Sequence, residues 1–440
     1  MSDKNEDYFV KRAVPQKVTE ERIAPQKKPS GTPEQKKKEN GGGSAVEAVK
    51  KQPVTMTKRV VKALTFDYFG KPSSIDTVFL LLLIMIIGVG TVMSFSASYA
   101  YAEKKYDNSY YFLIEHLSNL FFAVALFIIF VFMPPEIYKG FTYVITVASI
   151  VLLVLVLFIG VVRNGAKRWI DLPGLPMFQP SEVAKLALVM LLALYFDKHR
   201  KKVESEKIGT SFMYGLVFPG MMLCVFLALL YFEHHFSAII IFCCITFSMM
   251  VIGRSWYGWW IMLAVCAVAG IGLLMQFSDY AMARLNVWLD PWVDPSGDGW
   301  QTIQGLYAIA SGGIFGVGLG NSIQKYGYVS EPQNDFIFTI VCEELGFVGA
   351  FAVIVLFVAL IMRGFYIAKR ASNRYSYYLV MGIMIKLALQ VAFNIAVVTK
   401  TFPNTGISLP FFSSGGTQLV LQMIEMGIVL SVSRYSHLKK

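Results

Sequence analysis

Long runs of apolar residues, separated by short polar stretches, dominate this chain from residue 76 onwards. A helix needs ~20 apolar residues to cross a hydrocarbon core of ~30 Å. The runs are too long and too uniformly apolar for the alternating strands of a membrane barrel. The pattern therefore predicts an all-α polytopic membrane protein with about ten transmembrane helices, at roughly 76–98, 113–133, 140–162, 181–196, 213–231, 237–253, 256–276, 336–362, 377–399 and 416–433.

Composition agrees with this fold class. Hydrophobic residues make up 55% of the chain, charged residues only 16%, and the mean hydropathy is +0.54. The five cysteines fall in or beside apolar runs, which predicts buried thiols and neither a disulfide framework nor a cysteine metal site.

The two ends of the chain differ from the rest. Residues 1–72 are rich in Lys, Glu, Gln, Pro and Gly, with 16 Lys+Arg against 9 Asp+Glu, and we expect a disordered basic tail. Such a tail could bind nucleic acid, but beside a membrane we favour a cytoplasmic tail near anionic lipid and expect no nucleic-acid partner. Residues 73–436 then form the membrane domain, and 437–440 a short cytoplasmic C-terminal end.

The charges of the loops predict the orientation. With the N-terminus inside, the inner loops and C-terminal end carry 14 Lys+Arg, and the outer loops carry 8. Because positive charge accumulates on the cytoplasmic side, we expect both termini inside and residues 277–335 outside.

Residues 277–335 form the one long polar and glycine-rich interval between spans. Within it, GLYAIASGGIFGVGLGNS is amphipathic and has about half the length of a span. Irregular backbone at membrane depth is tolerated where it lines a cavity. The segment therefore predicts a re-entrant or surface-lying element within a large extracytoplasmic loop.

Three aspartates four residues apart, Asp290, Asp294 and Asp298, are the main chemical candidates in this loop. A calcium loop beginning at Asp294 would need a Glu at its twelfth position, where this chain has Gly305, so we reject that interpretation. Asp290 and Asp294 each precede a proline, and Asp-Pro also starts ordinary turns. The spacing alone leaves a turn and a catalytic carboxylate both open.

Charged residues also fall inside the apolar runs, where they are costly. Glu182 and Lys185 lie three apart, on one helical face. A structural pair and a pair facing a substrate cavity are both open for them. For Lys386 and Glu425 we favour a structural bridge. His234 and His235 adjoin a span end without further ligands nearby, and we interpret them as interfacial.

Five ordered motifs resemble the SEDS (shape, elongation, division and sporulation) family of peptidoglycan glycosyltransferases. They are GAKRWIDL…FQPSEVAKLAL, WLDPWVDPSGDGWQ, ASGGIFGVGLGNS, EPQNDFIFTIVCEELG and TGISLPFFSSGGT, spread over about residues 75–435. The resemblance implies a ten-span fold that polymerises lipid II. It also implies one essential aspartate in the large loop, Asp294, with Asp290 ranked second and Asp298 a solvated turn residue.

The implied reaction sets the other site residues. A carboxylate would take the proton of the attacking sugar hydroxyl, in a single displacement that inverts the anomeric carbon. The departing pyrophosphate needs cations or a divalent ion, Mg or Mn. The outer-face cations are Arg163, Lys167, Arg168, Arg284 and Lys400. Our predicted substrate-binding residues are Lys167, Arg168, Gln179, Ser181, Glu182, Lys185, Arg284, Gln301, Gln304, Asn334, Asp335, Glu344 and Ser413.

The resemblance also implies partners and a location. We expect a class B penicillin-binding transpeptidase, and other division or elongation membrane proteins, in a bacterial plasma membrane. Gln333 and Ser414 depart from commoner family residues, and the motifs lean toward the division branch. The alternatives are a lipid II flippase, which would more typically show paired broken helices, and a non-catalytic division scaffold.

Overall fold

A computed structural model describes residues 74–163, 166–171, 177–276, 279–297, 299–413 and 415–436. The predicted N-terminal tail, the last four residues and Asp298 lie outside these ranges.

The described part of the chain is almost entirely helical. Its helices are α1 (Thr77–Tyr106), α2 (Tyr111–Phe132), α3 (Pro135–Ile159), α4 (Pro180–Val203), α5 (Ile208–Phe212), α6 (Phe218–Phe232), α7 (Phe236–Ile252), α8 (Tyr257–Gln276), α9 (Asp279–Leu289), α10 (Trp300–Gly312), α11 (Ile337–Lys369), α12 (Arg374–Val398) and α13 (Gly416–Arg434). A single π-helical turn, Met213–Val217, joins α5 to α6 without a break.

A helix lies at each of the ten predicted positions. In the described ranges, seven are long and apolar enough to cross a membrane, with α5 and α6 counting as one. Two more, α7 and α8, contain shorter apolar segments, and α4 carries charged residues towards both ends. The prediction of an all-α polytopic membrane protein is confirmed. The boundaries differ, most clearly in α1, which runs eight residues past the predicted end.

The helices differ in what covers them. On α1 to α3 many large apolar side chains face outward, as on Phe121 and Phe158, which suits contact with lipid. On α4 most residues from Pro180 to Phe196 are buried, because α4 packs against α3, α7 and α12. α13 packs against α2 and α11. Glu182 and Lys185 of α4 and Lys386 of α12 are therefore enclosed by protein.

One of the loops that we expect outside the cell has an unpredicted structure. Val161–Arg163 (β1) and Ala166–Trp169 (β2) form a short antiparallel hairpin that carries Lys167 and Arg168. Strands of three and four residues are too short for an alternating pattern to be visible in the sequence.

The segment 305–322, predicted as a re-entrant or surface-lying element, is helical only in its first part. α10 begins before it at Trp300, ends at Gly312, and is followed by a glycine-rich return that packs on a break in α11 at Gly346, where φ is +67°. The Val317 amide donates to the Glu343 carbonyl (3.0 Å), and the Phe347 amide donates to the Gly313 carbonyl (2.9 Å). A side chain at Gly346 would collide with the backbone of this return. The packing of the return on α11 therefore requires a glycine at the break.

A buried polar group, which we call the loop anchor, fixes the next part of this loop to α1 and α11. Its members are Ser96, Ser322, Lys325, Glu343 and Glu344. The Lys325 ammonium donates to Glu344 (2.8 Å), to the Gly320 carbonyl (2.6 Å) and to Ser96 (3.3 Å). Glu343 accepts hydrogen bonds from the Ile323 amide (2.9 Å) and the Ser322 hydroxyl. The anchor therefore holds the loop against α1 and α11.

Candidate active site

Asp294 lies at the surface in a tight turn that follows a short 3₁₀ segment, Pro291–Val293. Its Oδ1 accepts a hydrogen bond from the Gly297 amide (3.1 Å), and its carbonyl accepts one from the Gly299 amide (3.1 Å). A Cβ at Gly297 would lie 2.1 Å from the Asp294 Oδ2 atom. The DPSGDG sequence therefore presents an exposed carboxylate whose direction depends on a glycine.

Asp290 has a different role in the same segment. Its side chain caps the 3₁₀ segment by accepting from the Trp292 amide (3.0 Å). Both aspartates thus support turns, as the Asp-Pro pattern indicated, and both are exposed.

Several predicted binding residues meet around Asn404, in the loop before α13. The Arg284 guanidinium donates to the Asn404 carbonyl (2.7 Å), and the Asn404 side chain donates to Gln301 Oε1 (3.4 Å). Ser413 donates to the carbonyl of Asn334 (2.7 Å). These contacts connect four parts of the chain: α9, the start of α10, the loop before α11 and the loop before α13.

Asp335 lies just before α11 at the base of this group. Its carbonyl accepts a hydrogen bond from the Asn394 side chain (2.7 Å). Burial raises the pKa of the Asp335 carboxyl because the charged form loses water, and nearby Arg284 opposes that effect.

The charged residues of the spans form a second group, which we call the interior cluster: Glu182, Lys185, Lys386 and Glu425. Lys185 pairs with Glu182 at 2.5 Å, and Lys386 pairs with Glu425, which confirms the predicted bridge. All four are buried, and the two pairs are close enough to interact electrostatically. Glu182 Oε2 and the neighbouring Ser181 hydroxyl have no hydrogen-bond partner among the described residues.

A polar stripe on α12 joins the interior cluster to the loops. Lys386, Gln390 and Asn394 follow one another at four-residue spacing, which places them on one helical face. Asn394 donates to the carbonyls of Asp335 and Ile407, while its own Oδ1 and Gln390 Oε1 are buried without a partner among the described residues.

Further buried polar residues lie at the end of α6. Arg168 donates to the His234 carbonyl, and Ser237 donates to the Thr405 carbonyl. Glu233 and His235 are buried, and both Glu233 oxygens and His235 Nδ1 lack a hydrogen-bond partner in the described ranges. Burial raises the pKa of Glu233 to about 8, against the opposing charge of Arg168.

Most of the predicted binding residues thus lie in one of two groups, the residues around Asn404 and the interior cluster. The polar stripe on α12 connects these groups. Gln179 precedes α4 at its Glu182 end, Lys167 is exposed on β2, and Gln304 is buried on α10. Glu344 is the outlier, because its carboxylate is fully buried in the loop anchor. The side chain of Arg163 lies outside the described part.

Sequence reasoning missed Asn404, Gln390, Asn394, Glu233 and Lys325, and it treated His235 as interfacial although it is buried. The four-residue spacing of Lys386, Gln390 and Asn394 was a visible signal of a polar face. For Asn404 and Lys325 we find no comparable signal, because their contacts depend on how distant loops pack.

We tested the expected divalent cation against the donor set. Among the described residues, no group of three or more His, Cys, Asp or Glu side chains is placed to hold a metal ion. We therefore derive no step through a metal.

The family is established by sequence comparison. A family model described as "Cell cycle protein" (FtsW/RodA/SpoVE) matches residues 76–438. Stage V sporulation protein E of Bacillus subtilis (strain 168) is 36% identical over 370 residues, covering 83% of this chain and 99% of that protein. The probable peptidoglycan glycosyltransferase FtsW of Geobacter sp. (strain M18) is 34% identical over 363 residues, covering 81% of this chain and 96% of that protein.

Solved structures share the fold. A chain from a peptidoglycan synthase complex, studied for the coordination of polymerisation and crosslinking, superposes with a TM-score of 0.67 at 26% identity, over 83% of this chain and 99% of that one. The rod shape determining protein RodA of Thermus thermophilus has a TM-score of 0.61 at 24% identity, over 83% of this chain and 98% of that one. With the helices, the Asp294 turn and the family match all in agreement, the chain belongs to the FtsW/RodA/SpoVE family of cell cycle proteins.

Proposed function

We propose that this protein is a peptidoglycan glycosyltransferase that links lipid II units into glycan strands, with Asp294 as its general base. The observation that carries the proposal is the Asp294 turn. It presents an exposed carboxylate in the segment that leads into α10, and Gln301 at the start of α10 contacts Asn404. Relatives named as probable peptidoglycan glycosyltransferases support the same activity.

The reaction needs one proton acceptor at the surface. The Asp294 carboxylate takes the proton of the acceptor sugar hydroxyl as that oxygen bonds to the anomeric carbon of the donor. The bond from that carbon to the pyrophosphate breaks in the same step, and the electron pair leaves with the prenyl pyrophosphate. One displacement inverts the anomeric configuration, so the step requires no covalent enzyme intermediate.

The cations near the site suit the departing group. Arg284, Arg168 and Lys185 lie on three different elements that border the polar interior. Fixed cations aimed at developing negative charge lower the barrier because they need no reorganisation during the reaction. We assign them to the pyrophosphate, with Gln301, Asn334 and Ser413 near the sugars.

The charge of the loops supports an orientation for this chemistry. We infer that both termini are cytoplasmic and that the Asp294 segment is outside the cell, in a bacterial plasma membrane. Lipid II would then be polymerised where the cell wall is built.

The partner follows from the product. Glycan strands must be crosslinked, and a structural relative belongs to a complex that coordinates polymerization and crosslinking. We therefore propose a class B penicillin-binding transpeptidase as partner. The family match covers both division and sporulation proteins at similar identity, and we keep the division branch as our prediction.

The test is polymerisation of lipid II by the purified complex, read as glycan ladders on a gel. We expect Asp294→Asn to lower the rate by about 10²–10⁴-fold, the contribution of a general base. Asp290→Asn is the matched control, with the same chemical change in the neighbouring turn, and should lower the rate far less. A result in which Asp294→Asn keeps its rate would refute the assignment of the base.

The same preparation tests the flippase alternative. If the wild-type complex moves lipid II across liposomes and forms no polymer, transport replaces polymerisation as the function. If it does neither, a scaffold role gains support.

A further inference from the structure

A cavity of about 280 Å³ lies at the end of the helix bundle opposite the Glu182 end of α4. It is bordered by α3, the last two turns of α4, the π-helical turn and the start of α6. Its lining is Tyr143, Leu191, Leu194, Tyr195, Lys198, His199, Tyr214, Phe218 and Met222. The site is therefore separate from the residues we assign to catalysis, and it does not depend on the proposed activity.

The apolar residues and the basic residues of the lining lie at different positions along the helix axes. Leu191, Phe218 and Met222 provide an apolar floor towards the centre of the bundle. Lys198 and His199 stand one to two turns further along α4, where that helix leaves its apolar run. A floor that suits hydrocarbon beneath a cationic rim is the arrangement that an anionic lipid requires.

The cations of the rim have no competing carboxylate. Lys198 makes no ion pair or hydrogen bond among the described residues. Lys202 lies one turn beyond Lys198, outside the cavity lining, where it donates to the Tyr214 hydroxyl (3.0 Å) and lies 4.5 Å from the centre of its ring. It forms no ion pair among the described residues. The neighbouring acids are already paired, Asp197 with Lys139 and Glu204 with Arg200.

The polar side of the cavity is built by the π-helical turn. π-turns within helices are rare and frequently mark functional sites. Here the turn holds Tyr214, whose carbonyl accepts from the Tyr195 hydroxyl (2.7 Å). The His199 ring lies 4.7 Å from the Tyr195 ring and 5.5 Å from the Tyr214 ring, and its Nδ1 donates to the Tyr195 carbonyl (3.2 Å). The rim is therefore a preformed group of side chains.

We propose that this cavity binds an anionic phospholipid. An acyl chain lies on Leu191, Phe218 and Met222, and the headgroup phosphate lies between Lys198 and Lys202. A lipid is favoured over a soluble anion because the apolar floor opens beside exposed Tyr143, on the surface that faces the bilayer. In the orientation proposed above, this is the cytoplasmic leaflet, where positively charged loops meet anionic lipid.

The experiment measures lipid binding to the full chain, delipidated in detergent, by native mass spectrometry. The probe is dioleoyl phosphatidylglycerol, with dioleoyl phosphatidylcholine and glycerol phosphate as comparison ligands. We expect K198Q/K202Q to bind phosphatidylglycerol roughly thirty-fold more weakly than wild type, about fivefold for each cation removed. The matched control K201Q/K207Q removes the same charge from the same end of the molecule and should stay near wild type.

A second pair of variants tests the floor of the cavity. M222W fills the floor and should weaken binding of phosphatidylglycerol, whereas M221W, one residue away on the outer face of α6, should not. Equal losses in the two lysine doubles, or in the two tryptophan variants, would overturn the site. Binding of glycerol phosphate as tight as that of the phospholipid would overturn the lipid assignment.

Discussion

Two buried lysine–glutamate groups lie in the described part of this molecule, and they differ in how completely their polar atoms are used. In the loop anchor, Lys325 makes three hydrogen bonds and Glu344 accepts from both Lys325 and Ser96. In the interior cluster, Glu182 Oε1 accepts a hydrogen bond from Lys185, and Glu182 Oε2 has no partner among the described residues. A saturated group can stabilise a fold but has no capacity left for a ligand. An unsaturated buried group has room for a further partner, such as a water molecule, an ion or a ligand.

The difference extends to the surroundings. The loop anchor engages most of its neighbours, which are backbone amides and hydroxyls such as those of Ile323 and Ser322. Beside it, Gln324 Oε1 is one buried atom without a partner in the described ranges. Ser181, Gln390 and Glu233, around the interior cluster and at the nearby end of α6, have buried atoms without partners in the described ranges. We therefore assign the loop anchor to architecture and the interior cluster to substrate, although both look alike as charges in a hydrophobic sequence.

The largest expected effect is on the loop anchor. Lys325→Met leaves the buried Glu344 carboxylate without its cation, which should lower stability by about 3–5 kcal/mol. The measurement is the melting temperature of the purified protein, with the exposed Lys104→Met as control. Adding Glu344→Gln to Lys325→Met removes the unpaired charge and should recover part of the loss. If the single variant melts like wild type, the anchor is not structural.

The interior cluster should respond in the opposite way. Glu182→Gln keeps a hydrogen-bond acceptor for Lys185, and Glu425 still compensates part of the Lys185 charge. The loss of stability should therefore be smaller than the loss expected for Lys325→Met. Polymerisation should fall by about 10–100-fold, because a group that positions substrate has been changed. Glycan formation and melting temperature are measured on the same sample, and Glu204→Gln, on the far end of α4, is the control. A loss of stability without a loss of rate would make this cluster a second structural anchor.

The sequence predicted one of these groups better than the other. Glu182 and Lys185 lie three apart on one helix, so their contact follows from helical geometry alone. Lys325 and Glu344 are 19 residues apart, and their contact requires the glycine-rich return to pack on the break at Gly346. Helical periodicity gave the spans, whereas the loop contacts depend on tertiary packing.

The same distinction holds at the catalytic segment. The motif that contains Asp294 was recognisable in the sequence, and its turn follows from Asp-Pro and glycine chemistry. Asn404 could not be identified in this way, because its side chain and carbonyl bridge Gln301 and Arg284 across more than one hundred residues. Lys325 was counted only as an outer-loop charge, and the β1–β2 hairpin was not expected at all.

Glu233, which lies just beyond α6, sharpens the contrast by titration. Its pKa of about 8 lies well above the ordinary value for a glutamate, so the folded protein holds a proton that the unfolded chain releases. The stability due to this proton is fully present below the unfolded pKa and is lost as pH rises through about 8. One proton corresponds to at most about 1.4 kcal/mol for each pH unit.

We expect the melting temperature of the wild type to fall between pH 5 and pH 8, and Glu233→Gln, which is always neutral, to reduce that slope. The exposed Glu206→Gln should keep the wild-type slope. Identical slopes in all three proteins would mean that Glu233 is ionised in the folded state and has a partner after all.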